Sequence, residues 1–331
     1  MKYPEGTPEN LLSRTAGKYG GSLLFEIFNF LCVGTAVNYI IILAVYIFTG
    51  NNGIDISTDF GYGFMMLMND ICSYAAPALL FFLIFRNDLK ETRYIAPYPK
   101  VRGELILLYF AGGCLADWGG VTTNIVSQFL NNLFNVPEPE VAFSSTSPQN
   151  AAQYIIFAVF VVFTGPILEE LIYRHLLLRP MRKFGDLTAA IISSLIFALS
   201  HFNFDQFLYT FLFGFSLSIV AIRRNSVVPT IIMHIINNAI ATIVTYMPES
   251  LGNKQADAVF SVICTILNYS GFFVLFGGIA AVIAAALLHL FEFRKPDILP
   301  VSAQLKVLFT SPLVIAGIVC SLVLTFYLLY V

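Results

Sequence analysis

Nine apolar stretches, at about 23–48, 64–85, 104–133, 151–178, 187–201, 206–222, 228–246, 258–291 and 308–331, make up most of this 331-residue chain. Crossing the roughly 30 Å hydrocarbon core of a bilayer takes about 20 mostly apolar residues. A backbone in hydrocarbon must also satisfy its own polar groups, which an α-helix does. The pattern predicts an all-α, polytopic transmembrane helical bundle of about eight or nine spans. Only 11% of residues are charged and 57% are hydrophobic, against about 25% charged in ordinary soluble domains. That deficit excludes a soluble enzyme and a disordered chain. With a net charge of −2 there is no basic footprint for nucleic acid. The expected surroundings are membrane lipid.

The connections test the segmentation independently. From the N-terminus, they hold 3, 0, 5, 0, 3, 0, 2, 1 and 3 lysines and arginines, with Arg174 inside a span. Sixteen of the 18 basic residues therefore fall on one side and only Lys254 on the other. The positive-inside rule places the N-terminus in the cytoplasm, in an integral, multi-pass protein of the cell membrane. The first 22 residues are polar and lack the apolar core of a cleavable signal peptide. The chain divides into a polar segment 1–22, helices 23–150, a core 151–246 and C-terminal helices 247–331. The third and eighth spans are long enough to be either tilted or broken, with Gly112-Gly113, Gly119-Gly120 and Gly277-Gly278 as the candidate break points. The five cysteines are scattered, with no CxxC pair, and read as buried free thiols.

An ionisable group in hydrocarbon is costly unless paired, so each needs an explanation. Glu26 and Glu104 sit at span edges and are expected to reach the headgroups. Asp70 lies near the outer end of its span, and Asp117 reads as structural among glycines. His175 and His289 lack supporting neighbours. The polar residues concentrate in Pro166-Ile-Leu-Glu169-Glu170-Leu-Ile-Tyr-Arg174. Glu170 and Arg174, at i and i+4, are expected to pair on one helix face. Glu169 points about 100° away in an α-helix and has no basic partner at i±3 or i±4, as suits a general base. At 1.5 Å rise per residue, Glu169, His201 and His234 lie about 16, 21 and 13 Å along three helices. They can meet at one level, with Asn238 a turn beyond His234. A carboxylate, two imidazoles and an amide suit hydrolysis of an amide, with water activated by Glu169 and His201 or by zinc on Glu169, His201 and His234.

Glu169-Glu170-Leu-Ile-Tyr-Arg174 reads as EExxxR, Phe197-Ala-Leu-Ser-His201 as FxxxH, and His234-Ile-Ile-Asn-Asn238 as HxxxN. In this order they resemble the CAAX-protease and bacteriocin-processing family (CPBP, or Abi) of intramembrane endopeptidases, related to the type II CAAX prenyl endopeptidase. The resemblance covers about 150–246 and includes Val228-Pro229 before the third motif. It implies that Glu169 and His201 activate the water and that His234 and Asn238 hold the oxyanion. It also implies that Glu170 and Arg174 are structural partners and that Phe197 packs beneath His201. Implied substrates are peptides or membrane proteins, with prenylated and bacteriocin-like chains as candidate classes.

Rival chemistries are less well supported. There is no HExxH or GxGD, and Gly214-Phe-Ser216 leaves Glu169 and His201 without a role. A non-enzymatic membrane protein of the same fold, such as an immunity factor, a scaffold or a transporter, is the remaining alternative.

Overall fold

The computed structural model describes residues 3–49, 55, 57–91, 97–134, 148–245, 254–294, 296 and 299–329, and every regular element among them is helical. The helices are α1 (8–49), α2 (59–91), α3 (Glu104–Phe134), α4 (Ala151–Met181), α5 (Asp186–Leu199), α6 (Phe204–Arg224), α7 (Val228–Thr245), α8 (Lys254–Leu287), α9 (Val301–Phe309) and α10 (Pro312–Leu329). Each apolar stretch lies on one of them, the last being divided between α9 and α10. Those two meet at 69° just before Pro312, which cannot donate to a continuing helix. Among the described residues, four helices are long and apolar enough to span a bilayer, and the α9–α10 pair makes a fifth if counted as one span. Helices α5 and α7 are shorter apolar helices. The protein is an integral, multi-pass membrane protein.

The helix ends follow local chemistry. Thr7 caps α1 through Asn10 N–H with Pro8 in the first turn, Thr58 caps α2, Asn150 caps α4, and Asn203 accepts from Asp205 and Gln206 at the start of α6. Asn225 ends α6 in the left-handed region at φ 48°, a conformation asparagine tolerates.

The connections sort to two ends of the bundle. At one end, Lys18 and Lys183 both pair with Asp88, Arg223 and Arg224 with Glu104, and Arg182 with Asp186. Tyr98 donates to Asp186 there and accepts from the Arg294 backbone N–H. Burial, reinforced by the Asp186 carboxylate, pushes the Tyr98 phenol up to about 12. At the other end Asn150 donates to Asp59, Gln153 to the Ser57 carbonyl, and Tyr154 to the Thr242 carbonyl. The basic connections thus share one end, as the alternation requires.

Outward faces carry large apolar side chains such as Tyr39, Ile47, Phe60, Ile106, Phe129 and Ile155, as lipid contact demands. The largest buried cluster joins α1 (Leu12, Tyr19), α2 (Phe81, Phe85), α4 (Leu177, Met181) and α5 (Ile192, Phe197). A second joins α3, α6 and α7 through Leu108, Phe213, Leu217 and Met233.

Four expectations are corrected. The glycines do not break α3 or α8. They permit close packing: a Cβ at Gly112 would stand 2.1 Å from Ser216 Oγ, one at Gly119 2.9 Å from the Leu208 carbonyl, and one at Gly278 2.3 Å from Cys114 Cβ. Glu26 does not reach the headgroups. It is 6% exposed beside Tyr173, because α1 begins at Pro8 and places residue 26 deep in the bundle. Glu104 is 1% exposed because Arg223 and Arg224 satisfy it inside the protein. Cys72 and Cys114 are buried free thiols, but Cys32 and Cys320 lie on exposed faces, where lipid makes an apolar thiol inexpensive.

Candidate active site

The site starts from an irregularity in α4. Pro166 has no N–H to give, and around it the helix widens to five-residue hydrogen bonding, with Gly165 N–H bonded to the Phe160 carbonyl. In that register the Val161 carbonyl falls opposite Pro166, which has no N–H to offer it. Asn238 of α7 supplies one, donating through Nδ2 at 3.0 Å. One amide proton of Asn238 is therefore committed to holding α7 against the widened turn, and the second remains for other use. A further wide stretch, Glu170–Leu178, carries the rest of the motif. The regular α geometry expected for this span does not hold here, and Glu169 sits at the junction between the two forms.

Glu170 and Arg174 do meet. Arg174 Nε lies 3.4 Å from Glu170 Oε2, with both side chains fully buried. Arg174 also donates through Nη2 to the Gly214 carbonyl at 3.1 Å and lies over the Phe197 ring at 4.5 Å. On its other oxygen, Glu170 Oε1 stands 3.0 Å from His234 Nδ1. A carboxylate there fixes the imidazole proton on Nδ1 and leaves Nε2 free to accept. That Nε2 faces Glu169 Oε2 at 3.6 Å, too far for a direct hydrogen bond and suited to a bridging water.

Glu169 is not without partners, as its own helix suggested. His234 approaches Oε2, and Tyr74 of α2 donates to Oε1 at 2.9 Å. Tyr74 occupies a wide turn in α2, Ile71–Ala75, and its hydroxyl lies beside Gly165, where a Cβ would stand 3.4 Å from it, at contact distance. Sequence reading missed Tyr74, since nothing in Ile71-Cys-Ser-Tyr74-Ala marks it and the contact spans 95 residues. Access separates the two glutamates: the Glu169 side chain is 13% exposed and that of Glu170 0%.

His201 lies in the turn after α5. Its Nδ1 is 2.7 Å from the Phe197 carbonyl, which requires Nδ1 to carry the proton and leaves Nε2 as an acceptor. Phe197 supports it edge-on at 4.8 Å and reaches towards His234 at 6.1 Å. The ring thus ties α5 to α7, and Gly214 gives it space, since a Cβ there would meet Phe197 Cδ1 at 2.8 Å. Beneath this layer, Tyr173 hydroxyl contacts Ser200 Oγ at 2.7 Å and Glu26 Oε1 at 3.4 Å.

The structure therefore joins Glu169, Glu170, Arg174 and His234 through one chain of contacts, with Phe197 linking His201 to it and Asn238 bracing the same turn. Zinc is a test of the donor set. Glu169 and His234 are neighbours with free acceptor atoms, yet among the described residues no three His, Cys, Asp or Glu side chains form a group able to hold a metal ion. The residues as arranged do not fit a zinc site of Glu169, His201 and His234, and no step below is derived through one. Asp117 and His175 lie apart from these contacts, and exposed His289, past the end of α8, pairs with Glu292.

Comparison with known proteins agrees with the motifs. Residues 151–240 match the family model described as type II CAAX prenyl endopeptidase Rce1-like. The chain is similar to the membrane-embedded CAAX protease MroQ of Staphylococcus aureus (strain USA300), with 29% identity over 188 residues, covering 53% of this chain and 70% of that protein. No solved structure matches. The resemblance to the CAAX-protease family is borne out, and the matches support an intramembrane endopeptidase.

Proposed function

We propose that the protein is an intramembrane endopeptidase in which Glu169 is the general base for an attacking water. The observation that carries this reading is the contrast between adjacent carboxylates. Glu170 is sealed and committed to Arg174 and His234, whereas Glu169 is accessible and held by Tyr74 on one oxygen.

Water bound at Glu169 Oε2 lies within reach of the lone pair on His234 Nε2, and His201 Nε2 offers a further acceptor from α5. As the water oxygen attacks a peptide carbonyl, its proton passes to Glu169, and the carbonyl oxygen gains negative charge. The remaining amide proton of Asn238 donates to that oxygen, while His234, with its proton on Nδ1 towards Glu170, keeps Nε2 as an acceptor that orients the attacking water. Collapse of the tetrahedral intermediate returns the proton from Glu169 to the leaving amine. Phe197 and the Glu170–Arg174 pair hold the two imidazoles without touching substrate. The substrate is a peptide or protein segment within the membrane, and prenylated C-terminal peptides and bacteriocin-like peptides are the classes to test.

The test is cleavage of a labelled peptide library by purified protein, with Glu169→Ala and His201→Ala as controls and mass spectrometry to locate the cut bond. Cleavage lost in both variants supports the reading, and so does activity that survives a strong chelator. Equal activity in all three proteins, or none in any, overturns it. Stoichiometric zinc removed together with activity would replace the metal-free mechanism.

A further inference from the structure

The basic end of the bundle contains a cavity of about 190 Å³ between the end of α4 and the α6–α7 turn. Arg174, His175, Arg179 and Arg182 line it, with Asn225 and Ser226 opposite. Arginines packed this closely repel unless each has a counter-charge, and the carboxylates at this cavity number fewer than the guanidinium groups. Glu170 faces Arg174 and Asp186 faces Arg182. Arg179 has no ion pair among the described residues.

Several donors are also left over. Arg182 spends Nε on Asp186 at 2.7 Å and Nη1 on Asn225 Oδ1 at 2.9 Å, and its buried Nη2 has no hydrogen-bond partner among the described residues. Arg174 gives Nη2 to the Gly214 carbonyl, and its buried Nη1 has none. The buried Nε of Arg179 likewise has none. Arg174 and Arg182 are 1% and 6% exposed, so bulk water does not satisfy them. Unpaired charged donors buried in this way are costly. Arg174, Arg179 and Arg182 all line this one cavity, and each has a buried N–H with no acceptor among the described residues; guanidinium groups gathered in this way recognise tetrahedral oxyanions. The start of α7 adds its N-terminal dipole, because Ser226 and Val227 border the cavity.

The geometry points to a binding site for a phosphate group at Arg174, Arg179 and Arg182, separate from the catalytic carboxylates. The phosphate belongs either to an anionic lipid headgroup, whose charge is not cancelled by an attached cation as it is in phosphatidylcholine, or to a soluble ion. Both offer the same oxygens, and the cavity's partly apolar wall, with Leu178 and Ala221, accepts the neighbouring part of a lipid. Arg174 joins the two regions, since it lines the cavity while its Nε faces Glu170.

The experiment reads binding, so its outcome is independent of whether the chain cleaves peptides. Purified full-length protein is titrated with radiolabelled orthophosphate at constant ionic strength. In parallel, its melting midpoint is followed in neutral phosphatidylcholine nanodiscs and in nanodiscs that also contain phosphatidylglycerol. Arg179 has no structural ion pair, so Arg179→Gln tests the site with little effect on the fold. Arg179→Lys keeps the charge and loses the fork, and serves if the glutamine variant is unstable. Saturable binding of orthophosphate weakened about tenfold or more by Arg179→Gln supports a soluble source. Stabilisation by phosphatidylglycerol alone, lost in the same variant, supports a lipid source, and both together support a site for either. No saturable response to either probe, or responses equal in wild type and both variants, overturns the proposal.

Discussion

Tyr74→Phe separates a hydroxyl that positions the base from a ring that fills space. The change removes one oxygen and leaves the ring, so packing around α2 is conserved. What disappears is the 2.9 Å donor to Glu169 Oε1. Hydrogen bonds to charged groups contribute about 1.5–3 kcal/mol. If that holds the carboxylate in its reactive orientation, kcat falls roughly tenfold to a hundredfold. The effect should fall on kcat, because Tyr74 contacts Glu169 and no part of a substrate has been placed against it. KM is expected to stay within about twofold, since uniform binding is untouched. The assay is steady-state cleavage of the best library peptide by wild type, Tyr74→Phe and a variant with 3-fluorotyrosine at position 74. The fluorinated ring keeps the donor and makes it more acidic, so it should retain activity that Phe loses. A Phe variant with wild-type kcat would refute the positioning role, and a rise in KM alone would assign Tyr74 to substrate binding.

Other expectations concern the supporting shell. Glu170→Ala leaves Arg174 and His234 buried without their shared carboxylate. It should cost about 3–5 kcal/mol, read as a lower denaturation midpoint in detergent. Gly214→Ala forces a Cβ to 2.8 Å from Phe197 and 3.0 Å from Arg174 Nη2. It should destabilise by about 1–3 kcal/mol and lower kcat through displacement of His201. At the basic end, the Tyr98 phenol ionises at about 12 in the folded protein and near 10 when unfolded. The unfolded chain loses that proton first, so stability should be intact below about pH 10 and fall as pH rises towards 12. Tyr98→Phe should flatten that part of a melting-temperature profile, and an unchanged alkaline slope would contradict the assignment.

Much of this bundle was legible because lipid imposes simple demands. Apolar length marked each helix, and the alternating basic connections predicted which ones share an end, as the Asp88, Glu104 and Asp186 pairs show. The Glu170–Arg174 pair was readable because it is local. What failed to show was tertiary. Tyr74 reaches Glu169 across 95 residues, and its role depends on a wide turn that no periodicity signals. The function of Pro166 emerged only with its widened turn and the Asn238 bond to Val161. Glycine pairs in α3 and α8 looked like candidate breaks because sequence alone does not distinguish a flexible glycine from one against which another helix packs. Glu26 and Glu104 looked peripheral for the same reason: depth was counted along the chain, while burial depends on the partners the fold supplies.

The most direct measurement is the cleavage rate of Glu169→Gln beside wild type. Glutamine keeps the size of the side chain and can still accept from Tyr74, but it cannot take a proton from water. General-base catalysis contributes about a hundredfold to ten-thousandfold, and a loss of kcat in that range, with the fold intact by melting temperature, is the expected result. A Glu169→Gln protein that cleaves at the wild-type rate would show that water is activated elsewhere and would contradict the assignment of Glu169 as the base.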